Sequence, residues 1–63
     1  MSKLKERREA LGLTQRQVAE KIGVKYQVYQ RYEKGVREPS ISMALRLAKA
    51  LNATAEELYS SSI

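Results

Sequence analysis

The amino-acid sequence predicts an all-α chain folded as a compact five-helix bundle, and three observations carry that reading. Apolar residues recur at the spacing of a 3.6-residue turn, as in Val18, Ala19 and Ile22 or in Ala44, Ala48 and Leu51. Glycines stand just past such runs at Gly12, Gly23 and Gly35, while Ser2, Thr14, Ser40 and Thr54 stand where helices start. With 63 residues the chain makes one domain near the lower limit for autonomous folding. Such a chain buries only about 60% of the surface it exposes when unfolded, so its core must be small and mostly helical.

The first helix spans 2–11, with Ser2 as its N-cap and an inward stripe of Leu4, Arg8 and Leu11. An arginine within an apolar stripe requires a partner, because a buried unpaired charge is costly. Glu33 is the candidate, forming a structural Arg8–Glu33 ion pair. Leu13 anchors the core and Thr14 caps helix 2. Ser40 caps helix 4, whose inward residues are Ile41, Ala44, Leu45, Ala48 and Leu51. Asn52 suits a left-handed helix end, and Thr54 with Glu57 forms a capping box that opens a short fifth helix ending near Tyr59. Leu58 and Tyr59 close the core. The ordered core is 2–59 and 60–63 is a loose tail.

The window from Gln15 to Lys34 organises the rest. Helix 2 ends at Gly23, Val24 follows as an apolar anchor, and helix 3 runs through to Glu33. Small Ala19 lets the helices approach, Gly23 bends the chain, and Val18, Ile22, Tyr29 and Tyr32 supply the inward apolar surface. Residues of these types at these offsets form a helix-turn-helix. At about 100° per residue, Tyr26, Gln27, Gln30, Arg31 and Lys34 fall on one side of helix 3, and Val28, Tyr29 and Tyr32 on the other. The first group mixes amide, guanidinium, ammonium and phenol with no carboxylate. That chemistry suits base edges and phosphates in a major groove, although a polar face is also what any solvated helix shows.

Charge agrees. The net charge is +5, and ten of the twelve basic residues lie at or before Arg37 against four of the seven acidic ones. A positive patch around the turn favours a polyanionic partner. The N-terminus of helix 2, with its free N–H groups and partial positive charge, gathers Thr14, Gln15 and Arg16 as backbone contacts. Lys25 places a cation beside the positive end of helix 3, where a small polar cap is preferred, and a nearby phosphate would make it favourable. Lys34 and Arg37 flank Gly35 in the following loop and complete the set of phosphate contacts.

Other chemistry is lacking. The chain has no cysteine, histidine or aspartate and no glycine-rich phosphate loop, so no catalytic constellation, metal site or cofactor is expected. No small-molecule ligand is evident. No apolar run approaches the roughly 18 residues of a membrane span, and no signal peptide is evident. A cytoplasmic protein is the default.

LGLTQRQVAEKIGV, then RYEKG, REPS and LRLAKAL ahead of a capped last helix, resembles the phage repressor and Cro-type helix-turn-helix proteins, the Xre family, from about Leu4 to Tyr59. The resemblance implies five helices, dimeric binding to a near-palindromic operator, and gene regulation, usually repression. In that family the position of Gln15 meets phosphate, those of Tyr26, Gln27 and Arg31 approach base edges, and the Arg8–Glu33 pairing has a counterpart. Three residues depart from the pattern. Lys25 replaces a small capping residue, Tyr29 an aliphatic one, and Tyr26 is bulky at the first base-reading position. A C-terminal sensing or oligomerisation domain is common in the family and is not expected here.

The expected function is sequence-specific binding of double-stranded DNA by a homodimeric transcriptional repressor. Tyr26, Gln27, Gln30 and Arg31 would read bases, while Thr14, Gln15, Arg16, Lys25, Lys34 and Arg37 would hold the backbone. The alternative is an antitoxin-like protein-interaction module with weak DNA binding, for which an apolar patch at Leu58, Tyr59 and Ile63 would speak.

Overall fold

The computed structural model describes residues 3–59, which fold into α1 (Leu4–Ala10), α2 (Gln15–Ile22), α3 (Tyr26–Lys34), α4 (Ile41–Ala50) and α5 (Ala55–Tyr59), with no strand among them. The all-helical bundle expected from the sequence is thus the observed one. The core comprises Leu4, Val18, Ala19, Ile22, Tyr29, Tyr32, Leu47, Ala48, Leu51 and Leu58. α2 sits at the centre and packs on both α3 and α4, α5 closes over α4, and α1 leans on α3.

Helices α1 to α4 end alike. In each, the residue immediately after a left-handed position donates its N–H to the carbonyl five residues back: Leu13 to Arg8, Val24 to Ala19, Val36 to Arg31 and Ala53 to Ala48. This wrap satisfies carbonyls that a helix end otherwise leaves without donors. At Gly23 the φ is 74°, a region in which a Cβ is penalised. The bend there sets the angle between α2 and α3.

Helix starts vary more. Thr14 caps α2 through a full capping box. Its Oγ1 accepts from the Gln17 N–H at 3.1 Å, and Gln17 Oε1 accepts from the Thr14 N–H at 2.8 Å. Ser40 Oγ accepts from the Met43 N–H, and Thr54 with Glu57 forms the reciprocal pair ahead of α5. Lys25 occupies the N-cap of α3 with no side-chain cap bond. α1 starts from Lys3, also without a side-chain cap, and Ser2 lies outside the described residues, as does the 60–63 tail. The Lys3 N–H donates instead to the Leu58 carbonyl at 2.8 Å, pinning the chain start to α5.

Three sequence expectations need correction. Leu11 is 40% exposed rather than inward, because α1 stops at Ala10 and the helical stripe cannot be extended past its end. On α4, Ile41 is 84% and Leu45 59% exposed, while Leu47 is fully buried beside Ala48 and Leu51. Two overlapping stripes share Ala48, and packing against α2 selects the one through Leu47. Leu58 is buried, so it belongs to no exposed apolar patch, and Ile63 lies outside the described residues. Val24 and Leu13 are half-buried supports at the core's edge.

Candidate nucleic-acid interface

α3 is held from behind by a polar cluster. Arg8 Nε donates to Glu33 Oε2 at 2.6 Å, and the two side chains are 11% and 3% exposed. Arg8 also donates through Nη1 to the Leu13 carbonyl at 2.9 Å, which ties the α1–α2 connection to the same centre. Burial pushes the Glu33 carboxyl upward, but its hydrogen bonds, that from Arg8 foremost, together with the Arg8 charge outweigh it and hold the group below its ordinary 4.5. The Glu33 hydrogen bond holds Arg8 protonated. Tyr29 is buried beside the pair, and burial foremost raises its hydroxyl well above the ordinary value of 10. An aromatic replaces an aliphatic side chain here without opening the core, since Tyr29 is completely buried.

The outward flank of α3 follows from this anchoring. With Tyr29 and Tyr32 buried and Glu33 turned inward, Gln27, Arg31 and Lys34 lie exposed at i, i+4 and i+7, and Lys25 is exposed at the helix start. No carboxylate interrupts that stripe. Arg31 and Lys34 also sit in the last turn, where cations complement the helix dipole. Arg37 is exposed in the loop after Gly35.

Tyr26 and Gln30 are half-buried and already engaged. Gln30 Nε2 donates to Tyr26 Oη at 2.8 Å and to Gln15 Oε1 at 3.3 Å, and Gln15 Nε2 donates to Glu33 Oε1 at 2.9 Å. Arg16 covers the Tyr26 ring, its guanidinium carbon 4.3 Å from the ring centroid. Gln15, Arg16, Tyr26 and Gln30 therefore form one assembly between the start of α2 and the first half of α3. The second amide hydrogen of Gln15 has no acceptor among the described residues, whereas Thr14 Oγ1 is occupied by its cap.

Sequence reasoning missed the Gln15–Gln30–Tyr26 linkage and the role of Gln17. The Thr-x-x-Gln spacing from Thr14 was a readable signal for the second. It also missed Arg7, whose guanidinium donates to the Leu51 carbonyl at 2.9 Å and the Asn52 carbonyl at 2.8 Å, closing the end of α4. No local pattern announces a contact over 44 residues.

Comparison with known proteins agrees with the helix-turn-helix fold. The helix-turn-helix family profile matches residues 4–58, nearly all of the described chain. The chain belongs to the phage repressor and Cro-type (Xre) helix-turn-helix family. Among relatives within this helix-turn-helix group, an uncharacterized HTH-type transcriptional regulator of Methanothermobacter thermautotrophicus is 46% identical over 48 residues, covering 76% of this chain and 70% of its own. Another from Archaeoglobus fulgidus is 34% identical over 58 residues, covering 92% and 83%. The cryptic phage CTXphi transcriptional repressor RstR of Vibrio cholerae is 37% identical over 60 residues, which span 89% of this chain and 54% of the repressor.

Proposed function

We propose that this helix-turn-helix regulator binds double-stranded DNA sequence-specifically, with α3 in the major groove, and represses transcription as a homodimer at a near-palindromic operator. The observation that carries the reading is the carboxylate-free exposed stripe of Gln27, Arg31 and Lys34 on a helix locked from behind by Arg8 and Glu33. A rigid rod pre-pays the ordering that a flexible reader would lose on binding. Gln27 pairs adenine through its amide or donates to guanine, and Arg31 meets guanine or phosphate. Lys25, Lys34 and Arg37 set the register on the backbone, with Arg16, the second Gln15 amide hydrogen and the Thr14 helix start completing it. Repression is supported by the likeness to RstR, a transcriptional repressor of Vibrio cholerae. No described helix is long and apolar enough to cross a membrane, in keeping with action in the cytoplasm.

A second copy is the partner that this reading supplies. Half-sites about 34–36 Å apart set two chains side by side on one face of the duplex. The exposed Ile41 and Leu45, with Pro39, Ala44 and Tyr59 lining the adjoining cleft, give α4 and α5 an apolar face remote in sequence from the reading stripe. Selection of bound fragments from random duplex DNA tests the proposal. An enriched inverted repeat is expected, and recovery of sequences no different from the input pool refutes it. A tight protein partner recovered alongside indifferent DNA binding would favour the antitoxin-like alternative.

A further inference from the structure

Glutamine is an ambivalent reader, because its amide can offer either a carbonyl oxygen or an NH2 to a base. Gln30 lacks that freedom. Glu33, ionised through its bond to Arg8, can only accept, so it fixes the NH2 of Gln15 toward itself. The Gln15 oxygen then faces Gln30 and draws the Gln30 NH2. The other hydrogen of that NH2 goes to Tyr26 Oη. Reversing either amide would set two oxygens against each other at 2.9 or 3.3 Å.

We propose that the buried Glu33 carboxylate, acting through Gln15, sets the donor and acceptor polarity of the DNA-reading face. Gln30 presents only its carbonyl oxygen to the groove, and Tyr26 presents its hydroxyl proton. Both amide hydrogens of Gln30 are used, and its oxygen has no partner among the described residues. The Tyr26 oxygen already accepts, so its own proton points away from Gln30, while Arg16 stacked on the ring keeps the phenol from swinging out. The Gln30 oxygen therefore takes the exocyclic amino group of adenine or cytosine and rejects the keto edge of guanine or thymine. Tyr26 takes an acceptor: purine N7, guanine O6 or thymine O4. Gln15 is a positioning residue for both, over and above any phosphate contact it makes. The inference rests on the proposed DNA reading, and its tests separate the two.

Gln15→Met keeps the length and apolar stem of the side chain but removes both ends of the relay. Measured against duplexes carrying each base at each operator position, it is expected to collapse the preference for an amino base over a keto base at the Gln30 position by about tenfold. Preferences at the positions read by Gln27 and Arg31 should persist. A uniform loss across all sequences, or no change, overturns the proposal and leaves Gln15 as a phosphate contact or a bystander. Tyr26→Phe, which keeps the ring under Arg16, should weaken the cognate site about tenfold and erase preference at its own position alone; an unchanged affinity also overturns it. A readout without DNA is the pair of side-chain amide proton resonances of Gln30. They should be shifted and protected from exchange in the intact chain and move to free-amide values in Gln15→Met. Identical Gln30 resonances in both proteins refute the relay whatever the DNA result. If the relay signature is present but the intact chain selects no sequence, the DNA reading itself falls and this inference falls with it.

Discussion

At the scale of single residues, the side chains of α3 divide by what each can lose. Gln27 is exposed and bonded to nothing in the described chain, so Gln27→Ala removes only contacts to a ligand. It is expected to cost about 1–3 kcal/mol at the selected site and to relax preference at one position, checked by titrating cognate and singly substituted duplexes. Lys34→Ala should weaken all sequences alike and flatten the slope of log affinity against log salt by about one, because one phosphate loses its cation. A slope that stays put removes Lys34 from the backbone contacts. Glu33 behaves differently, since Arg8 loses its charge partner when Glu33 is truncated. Glu33→Ala should cost about 3 kcal/mol in urea denaturation, the low end for breaking a buried pair on one side. A domain of this size holds roughly 3–9 kcal/mol in all, so the variant should be marginally folded.

The same pair governs acid sensitivity. Glu33 is held below its ordinary 4.5 in the folded chain, so its contribution is complete above that value and is lost as pH falls through the lower, folded one. Stability should therefore decline below about pH 4.5, the ordinary value. The decline should be shallower in Arg8→Met/Glu33→Leu, in which the linked charge is absent. Equal acid sensitivity in both proteins would assign the effect to other carboxylates.

At the scale of elements, the α2–α3 turn depends on conformation rather than on space. A Cβ built on Gly23 meets nothing within 4 Å, yet its φ is 74°. Gly23→Ala should lower stability by about 1–2 kcal/mol, the cost of a left-handed L-residue, without disturbing packing. Thermal or urea unfolding measures this; an unchanged midpoint would mean that the turn does not hold that conformation in solution. Lys25 at the start of α3 forgoes a cap that Thr14 and Ser40 provide elsewhere. In the proposed complex the cation meets phosphate, which accounts for a local rule broken at the reading helix.

At the scale of the whole molecule, the chain has two faces with opposite needs. One carries the cations of α3 and its flanking loop. The other leaves Ile41 and Leu45 in water on α4, an arrangement that a monomer of this size gains nothing from. Leu45→Glu should leave the fold intact, since the side chain contributes little to the core. If the proposed homodimer forms through this face, the variant should sediment as a monomer and lose affinity for an inverted repeat far more than for a single half-site. A dimer that persists with Leu45→Glu would move the self-association surface elsewhere.

The order of the helices, their caps at Thr14, Ser40 and Thr54, and the turn at Gly23 are written locally, because each depends on residues within about five positions. The pairing of Arg8 with Glu33 was legible for a different reason: a charge in an apolar stripe demands a partner. Local patterns could not choose between the stripes of α4 through Leu45 and through Leu47, since both repeat at helical spacing. Nor could they show that Gln15 and Gln30 are joined, because an amide on a helix surface looks the same in sequence whether it faces water or another amide. Only the approach of α2 to α3 brings those side chains within hydrogen-bonding distance, and only a buried, acceptor-only carboxylate gives the resulting chain a direction.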